Sequence, residues 1–206
     1  MKAKGFLIVL SGPSGAGKNT LINHVLPRIP NLKYSVSATT RAPRPGEVNG
    51  VDYFFVSDAE FDRMIANNQF LEWAVFVGNR YGTPRSFVEE QIQQGYTVIM
   101  DVDIQGALQI RKQMPEAVLV FLLPPTLDEL RKRLNKRGQD ALEAIAKRLE
   151  HSAKELEYIV DYDYYIINDD LDKAAERLVT IINAEQCRVA RADLRAIQQL
   201  WQRRQD

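Results

Sequence analysis

The sequence predicts an α/β fold built on a doubly wound parallel sheet, and three observations carry that prediction. Four runs, Phe6 to Leu10, Thr97 to Val102, Val118 to Leu123 and Tyr164 to Ile167, are near-continuously apolar, as strands covered on both faces must be. Helical patterns follow or separate them at Thr20 to Leu26, Gln105 to Gln113, Leu127 to Lys136, Ala141 to Glu157 and Leu171 to Arg191. A glycine-rich turn comes directly after the first run.

That turn reads Gly12-Pro13-Ser14-Gly15-Ala16-Gly17-Lys18, and Gly12, Gly17 and Lys18 fit the phosphate-loop spacing G-x-x-x-x-G-K. Glycines let the backbone turn sharply and aim several N–H groups into one concavity. The helix that follows adds its positive dipole end, and Lys18 adds a full charge for outer phosphates. The sheet is therefore expected to be of the P-loop NTPase kind. The residue after Lys18 departs from the pattern: Asn19 stands where a Ser or Thr would help hold Mg²⁺, and the hydroxyl comes one place later, at Thr20.

Residues 34–95 break the strand–helix alternation. They are rich in aromatic and turn residues, with expected strands at Ser35 to Thr40 and Tyr53 to Val56 and a short helix near Ala59 to Ala66. This stretch reads as an inserted subdomain. It carries Arg41-Ala42-Pro43-Arg44-Pro45, where the prolines stiffen the loop and exclude helix. Guanidinium forks bind phosphate oxygens bidentately, so a stiff Arg41–Arg44 pair beside Tyr53 reads as a grip for a second phosphate.

The second core strand ends in Asp101 and Asp103, two apart and therefore on one face, at the end of the sheet that faces the loop. Farther on, Arg131, Lys132, Arg133, Lys136, Arg137, Lys147 and Arg148 crowd around Gly138. On charge alone this is a solvated helix surface; beside a phosphate loop it reads as a basic helical lid. The domain plan is a single domain, 1–206, with core segments 1–33, 96–124 and 158–206, the inserted subdomain 34–95 and a lid at 125–157.

Composition narrows the function classes. The 206 residues suit one domain with insertions, and 45% hydrophobic residues suffice for a core. Lys plus Arg equals Asp plus Glu, 27 each, which argues against general binding to nucleic acid or membrane. The single cysteine, Cys187, excludes an internal disulfide and reads as a packing residue rather than a nucleophile. His24 and His151 stand apart, without metal-ligand spacing, so a structural zinc site is not expected. No run reaches membrane-spanning length and the loop begins within a dozen residues of the start, so a cytoplasmic, soluble protein is expected. The amphipathic tail, with Leu194, Ile197, Leu200 and Trp201 at helical spacing, permits a homo-oligomer without specifying one.

Taken with the loop, five further motifs resemble the guanylate kinases: Thr39-Thr40-Arg41-x-x-Arg44-x-Gly46-Glu47; Gly78-x-x-Tyr81-Gly82-Thr83; Asp101-Val102-Asp103-x-Gln105-Gly106; Arg133-x-x-x-Arg137-Gly138; and Asn168-Asp169-Asp170. The resemblance runs from the loop to about Glu185. It implies phosphoryl transfer from ATP to GMP, with Mg²⁺ entering on ATP and residues 34–95 binding GMP. Gly-Lys-x-Thr loop endings occur among nucleoside monophosphate kinases, so Asn19 is compatible with it.

Residue by residue, the resemblance implies that Ser37, Glu72 and Thr83 read guanine. A carboxylate accepts from N1–H and the N2 amino group, which adenine does not offer, and an unpaired buried carboxylate is costly enough to reject AMP. Without the resemblance, Glu72 beside Trp73 reads as a surface residue. Arg41, Arg44, Tyr53 and Tyr81 would hold the GMP phosphate, with Glu47 and Asp101 also on the GMP side. Gly12, Pro13, Ser14, Gly15, Ala16, Gly17, Lys18, Asn19 and Thr20 would cradle ATP, with Arg133 and Asn168 near its adenine and Thr20 toward Mg²⁺. Lys18, Arg41, Arg137 and Arg148 would neutralise the transferring group. Asp101 or Asp103 could orient Mg²⁺ waters or the GMP phosphate, and Asn168-Asp169-Asp170 could also cap a helix. A reading from another class, a guanylate-kinase-like module that binds phosphopeptides without catalysis, typically lacks a working phosphate loop, and here the glycines and Lys18 are intact.

Overall fold

The computed structural model of the chain describes residues 4–136 and 142–202. The chain opens with β1 (Leu7–Ser11), α1 (Lys18–Val25), β2 (Leu32–Tyr34), β3 (Ala38–Thr39), β4 (Phe54–Phe55) and α2 (Asp58–Ala66). It continues through β5 (Phe70–Phe76), β6 (Asn79–Pro84), α3 (Arg85–Gln93), β7 (Thr97–Asp101), α4 (Ile104–Gln113) and β8 (Val118–Leu123). The last elements are α5 (Leu127–Lys136), α6 (Leu142–Glu155), β9 (Tyr164–Ile167), α7 (Leu171–Gln186) and α8 (Leu194–Gln202).

Five strands form a parallel sheet in the order β2-β7-β1-β8-β9. Its central strands are apolar without interruption because both faces are covered. Ile8, Leu10, Val120 and Leu122 pack against Leu21, Ile22 and Val25 of α1 and Ala174, Leu178 and Ile182 of α7. Leu7, Val9, Val98, Met100 and Leu119 pack on the other face against Val88 of α3 and Ala107 and Ile110 of α4. Alternate residues of one strand thus serve opposite layers, which is the doubly wound arrangement. Each fully buried Leu or Ile is worth about 1.5–3 kcal/mol, so the site rests on a stiff platform.

A second sheet, ordered β4-β3-β6-β5, lies between β2 and β7 in the chain. Strands β5 and β6 form a hairpin whose two-residue turn is Val77-Gly78. Ser57 starts α2 by accepting the Glu60 N–H at 3.1 Å, a side-chain cap of the usual kind. The sequence pattern leaves β2, β5, β6 and α3 without an assignment. The three residues of β2 add Tyr34 to the main sheet, and α3 bridges the two sheets, with Val88 in the core and Phe87 5.8 Å from the Phe54 ring.

The long C-terminal helix ends early. The sequence pattern predicts helix as far as Arg191, but α7 stops at Gln186, and a 3₁₀ turn over Val189–Arg191 folds the chain back. The reason is a buried ion pair: the Arg191 guanidinium returns to Glu185 at 2.8 Å and lies 4.2 Å over the Phe6 ring. Cys187, expected to pack, is exposed at this break. No helix among the described residues is long and apolar enough to cross a membrane. The apolar stripe of α8 leaves Leu194, Leu200 and Trp201 exposed.

Candidate active site

The loop between β1 and α1 is shaped by close approach. At Gly12, with φ +137°, a Cβ would stand 2.2 Å from the Leu122 carbonyl oxygen; at Gly17, with φ +97°, it would stand 2.6 Å from Asn168 Nδ2. Asn168, at the end of β9, donates to the Ala16 carbonyl at 2.8 Å. Arg133 donates to the same carbonyl at 3.3 Å and to the Asn168 carbonyl at 2.9 Å. The two residues expected near adenine therefore brace the loop from behind. They also line, with Thr20 and Leu171, a cavity of about 290 Å³. Asp170 caps α7 by accepting the Lys173 N–H at 3.0 Å, the capping role left open by the sequence.

Lys18 curls over the loop and donates to the carbonyls of Gly12 at 2.6 Å and Pro13 at 3.4 Å. Arg148, from α6, reaches the Ser14 hydroxyl at 3.1 Å. A cleft of about 650 Å³ opens from Gly12, Ser14, Gly15, Gly17, Lys18, Asn19 and Thr20 toward Tyr53, Tyr81, Asp101 and Asp103. Arg137 lies outside the described residues.

A second cavity, about 250 Å³, adjoins it and is lined by Ser37, Tyr53, Glu72, Tyr81 and Asp101. Asn19, Tyr53, Tyr81, Asp101 and Asp103 line both spaces, so the two are continuous. Glu72 comes from β5 and Thr83 from β6, paired across the hairpin, and both are buried. The Thr83 hydroxyl donates to Glu72 Oε1 at 2.7 Å. Burial pushes the Glu72 carboxyl up to about 7, against the opposing pull of the Thr83 hydrogen bond. The surface reading of Glu72 is thus overturned by its 8% exposure.

Arg41 is held in a fork by Glu47, with contacts of 2.8 and 3.0 Å, and its guanidinium sits 5.3 Å from the Tyr53 ring centroid. Hydrogen bonding to Arg41 holds the Glu47 carboxyl below the usual glutamate range. Glu47 also accepts the Arg44 N–H at 2.7 Å. Its oxygens therefore address Arg41 and the Arg44 backbone, the two residues of the expected phosphate grip. The Arg44 side chain is exposed and lines neither space. Asp103, left open as an alternative to Asp101, caps α4 through Oδ1, which accepts the Gly106 N–H at 2.8 Å, and still lines the cleft.

Sequence reasoning missed Tyr34, Asp52, Ala74, Phe76 and Glu155 as lining residues. Glu155 ends α6 and reads as one more surface charge of a basic helix; in the fold it is partly buried over the cleft, and burial raises its carboxyl above the usual range. A larger space, about 800 Å³, lies at the opposite end of the strands by Lys4, Ile92, Arg111 and Arg191. Its Arg111 and Arg191 are engaged by Asp163 and Glu185, and it holds none of the predicted residues.

Fold and site together define a phosphate-loop α/β protein with two adjoining binding spaces, of the class that handles nucleotide phosphates. The chain belongs to the guanylate kinase family, whose model matches residues 4–185. It is 54% identical over 187 residues to a guanylate kinase of Desulfitobacterium hafniense, covering 91% of this chain and 94% of that one. It is 49% identical over 191 residues to a guanylate kinase of Caldanaerobacter subterraneus, covering 93% of each. A crystal structure of guanylate kinase from Anaplasma phagocytophilum superposes with a TM-score of 0.71 at 36% identity, over 95% of this chain and 94% of that one.

Proposed function

We propose that the chain transfers the terminal phosphoryl group of ATP to GMP, giving ADP and GDP. The observation that carries this reading is the shared wall of the two spaces, which puts the Lys18 loop and the Tyr53–Tyr81 end of the second cavity on one cleft. Phosphoryl transfer asks little covalent chemistry of a protein; it asks for two phosphates held in line and their charge neutralised.

In this reading residues 34–95 bind GMP. Ser37, Glu72 and Thr83 read the base, and Arg41, Arg44, Tyr53 and Tyr81 hold its phosphate, with Glu47 aiming the Arg41 fork. The loop residues 12–20 bind the ATP phosphates, and Arg133 and Asn168 both brace the loop and border the adenine space. Residues 125–157 act as a lid whose Arg148 already meets the loop at Ser14. Lys18, Arg41, Arg137 and Arg148 offset charge on the transferring group. A GMP phosphate oxygen is ionised near neutral pH, so no strong base is needed.

Mg²⁺ takes hard oxygen donors, and Thr20 and Asp103 present that class of donor on the cleft beside Lys18, so the residues fit it. Among the described residues no group of three His, Cys, Asp or Glu could hold a metal, so phosphate oxygens and water would complete its shell. When bound, the ion neutralises phosphate charge and orients the phosphate chain.

A coupled assay of ADP production with GMP, AMP, dGMP and UMP in parallel tests the reading. Turnover with GMP far above AMP and UMP is expected; equal rates with AMP would overturn it.

A further inference from the structure

We propose that Tyr34 is a positioning residue for the acceptor nucleotide: it fixes Asp101 so that the free carboxylate oxygen accepts from the sugar hydroxyls of GMP. This rests on the acceptor reading of the second cavity and adds to it a residue and a part of the substrate that the motifs leave unassigned.

The geometry begins in the main sheet. Strand β2 pairs with β7 in the register Leu32↔Thr97, Lys33↔Val98 and Tyr34↔Ile99. Asp101 lies two residues beyond the partner of Tyr34, so strand alternation places it on the same side as Ile99. Tyr34 is the last residue of an edge strand and Asp101 the last of its neighbour. Past Tyr34 the chain leaves the sheet for the segment that carries Ser37 and Arg41. At this exit the Tyr34 hydroxyl donates to Asp101 Oδ1 at 2.7 Å, and both residues line the cavity that holds Glu72 and Tyr53.

Tyr34 is 42% exposed, so its ring is not there to fill a core. Its hydroxyl meets an acceptor-only carboxylate, so it serves as the donor. The bond consumes Oδ1. Asp101 Oδ2 receives no protein donor among the described residues; the neighbouring Asp103 uses its Oδ1 to cap α4. An ionised carboxylate repels phosphate and seeks O–H or N–H donors. Base donors are matched by Glu72 at one end of the cavity, and the phosphate end carries Tyr53 and Tyr81. The remaining donor-bearing part of a nucleoside monophosphate is the sugar, between the two.

Steady-state kinetics of wild type and Tyr34→Phe on GMP and on 2′,3′-dideoxyguanosine monophosphate test this. Removing one hydrogen bond to a charged group should raise the GMP KM about tenfold, with kcat and the ATP KM within twofold. The KM for the dideoxy analogue should change less than twofold, because the sugar donors are already gone. In an Asp101→Ala background the Tyr34→Phe change should also cost GMP less than twofold; Asp101→Asn serves if the alanine variant does not fold. A Tyr34→Phe variant with unchanged GMP KM, or one that loses both nucleotides equally, overturns the proposal. Wild-type enzyme that treats the two nucleotides alike removes the sugar contact itself, and wild type inactive on GMP removes the acceptor reading instead.

Discussion

The hydroxyl of Thr83 donates to Glu72 across the β5–β6 hairpin at 2.7 Å, in a floor where both side chains are buried. That single bond satisfies one carboxylate oxygen and leaves the other beside Gly106, where a Cβ would stand 3.3 Å from Glu72 Oε2. A buried acid with one hydroxyl partner is poised between protonation states, and its carboxyl is held at about 7 rather than 4.5.

The first prediction concerns protons taken up or released with GMP. Guanine N1–H and N2–H donors require the carboxylate, so binding draws Glu72 toward ionisation and releases a proton near pH 7. GMP affinity should fall as pH drops below about 7, by at most tenfold per unit. Calorimetry in buffers of differing ionisation heat counts the released protons. Glu72→Gln should abolish that release along with guanine selectivity; unchanged release in the variant would assign the proton elsewhere.

Stability gives the opposite side of the same linkage. The folded-state value of Glu72 lies above the ordinary 4.5, so its favourable contribution is full below that pH and lost as pH rises through about 7. At pH 8 the buried carboxylate costs the fold up to about 3 kcal/mol. Glu72→Gln should therefore raise the thermal midpoint at pH 8 and raise it much less near pH 5. A midpoint that falls at pH 8 would show that Thr83 alone stabilises the charged form.

Lys18 sits 2.6 Å from the Gly12 carbonyl, on the loop side of the cleft. Lys18→Ala should lower kcat by about 10³-fold or more while leaving GMP affinity within threefold, by analogy with other transition-state cations. Single-turnover kinetics with equilibrium GMP binding would check it, and wild-type turnover would sink the donor-site assignment.

Glu47 holds Arg41 in a two-contact fork between half-buried partners. Glu47→Ala should loosen that fork, raising the GMP KM about five- to tenfold without changing the ATP KM. An ATP effect of equal size would move Arg41 to the donor side.

Val77 turns the β5–β6 hairpin at φ +48° with 80% of its surface exposed. A β-branched residue is unfavourable there, and Asn-Gly is the pair that the turn prefers. Val77→Asn should stabilise the fold by about 1 kcal/mol in chemical denaturation. A loss of stability would mean that the valine side chain makes a contact outweighing its backbone strain.

Regular periodicity made much of this protein legible in one dimension. The runs at 6–10, 97–102, 118–123 and 164–167 sit within one residue of the four strands β1, β7, β8 and β9, because strands buried on both faces can hardly be anything but apolar. The loop glycines were equally legible, since Gly12 and Gly17 answer to backbone clashes that any side chain would create. The hairpin β5–β6, helix α3 and the short strand β2 were not. Strand β2 has three residues, too few for a period to show, and its Tyr34 gains meaning only beside Asp101, 67 positions away. Glu72 shows the same limit in its sharpest form: its neighbours in sequence suggest a surface charge, and only the burial that the fold imposes raises its proton affinity, against the pull of the Thr83 hydrogen bond. Sequence by itself determined the parallel sheet and the phosphate loop, which are set by local spacing and chain-wide apolar pattern. Tertiary structure alone decided which carboxylates line the cleft, which bond to arginines or helix ends, and where α7 must stop, because those outcomes depend on burial and partners that approach from distant parts of the chain.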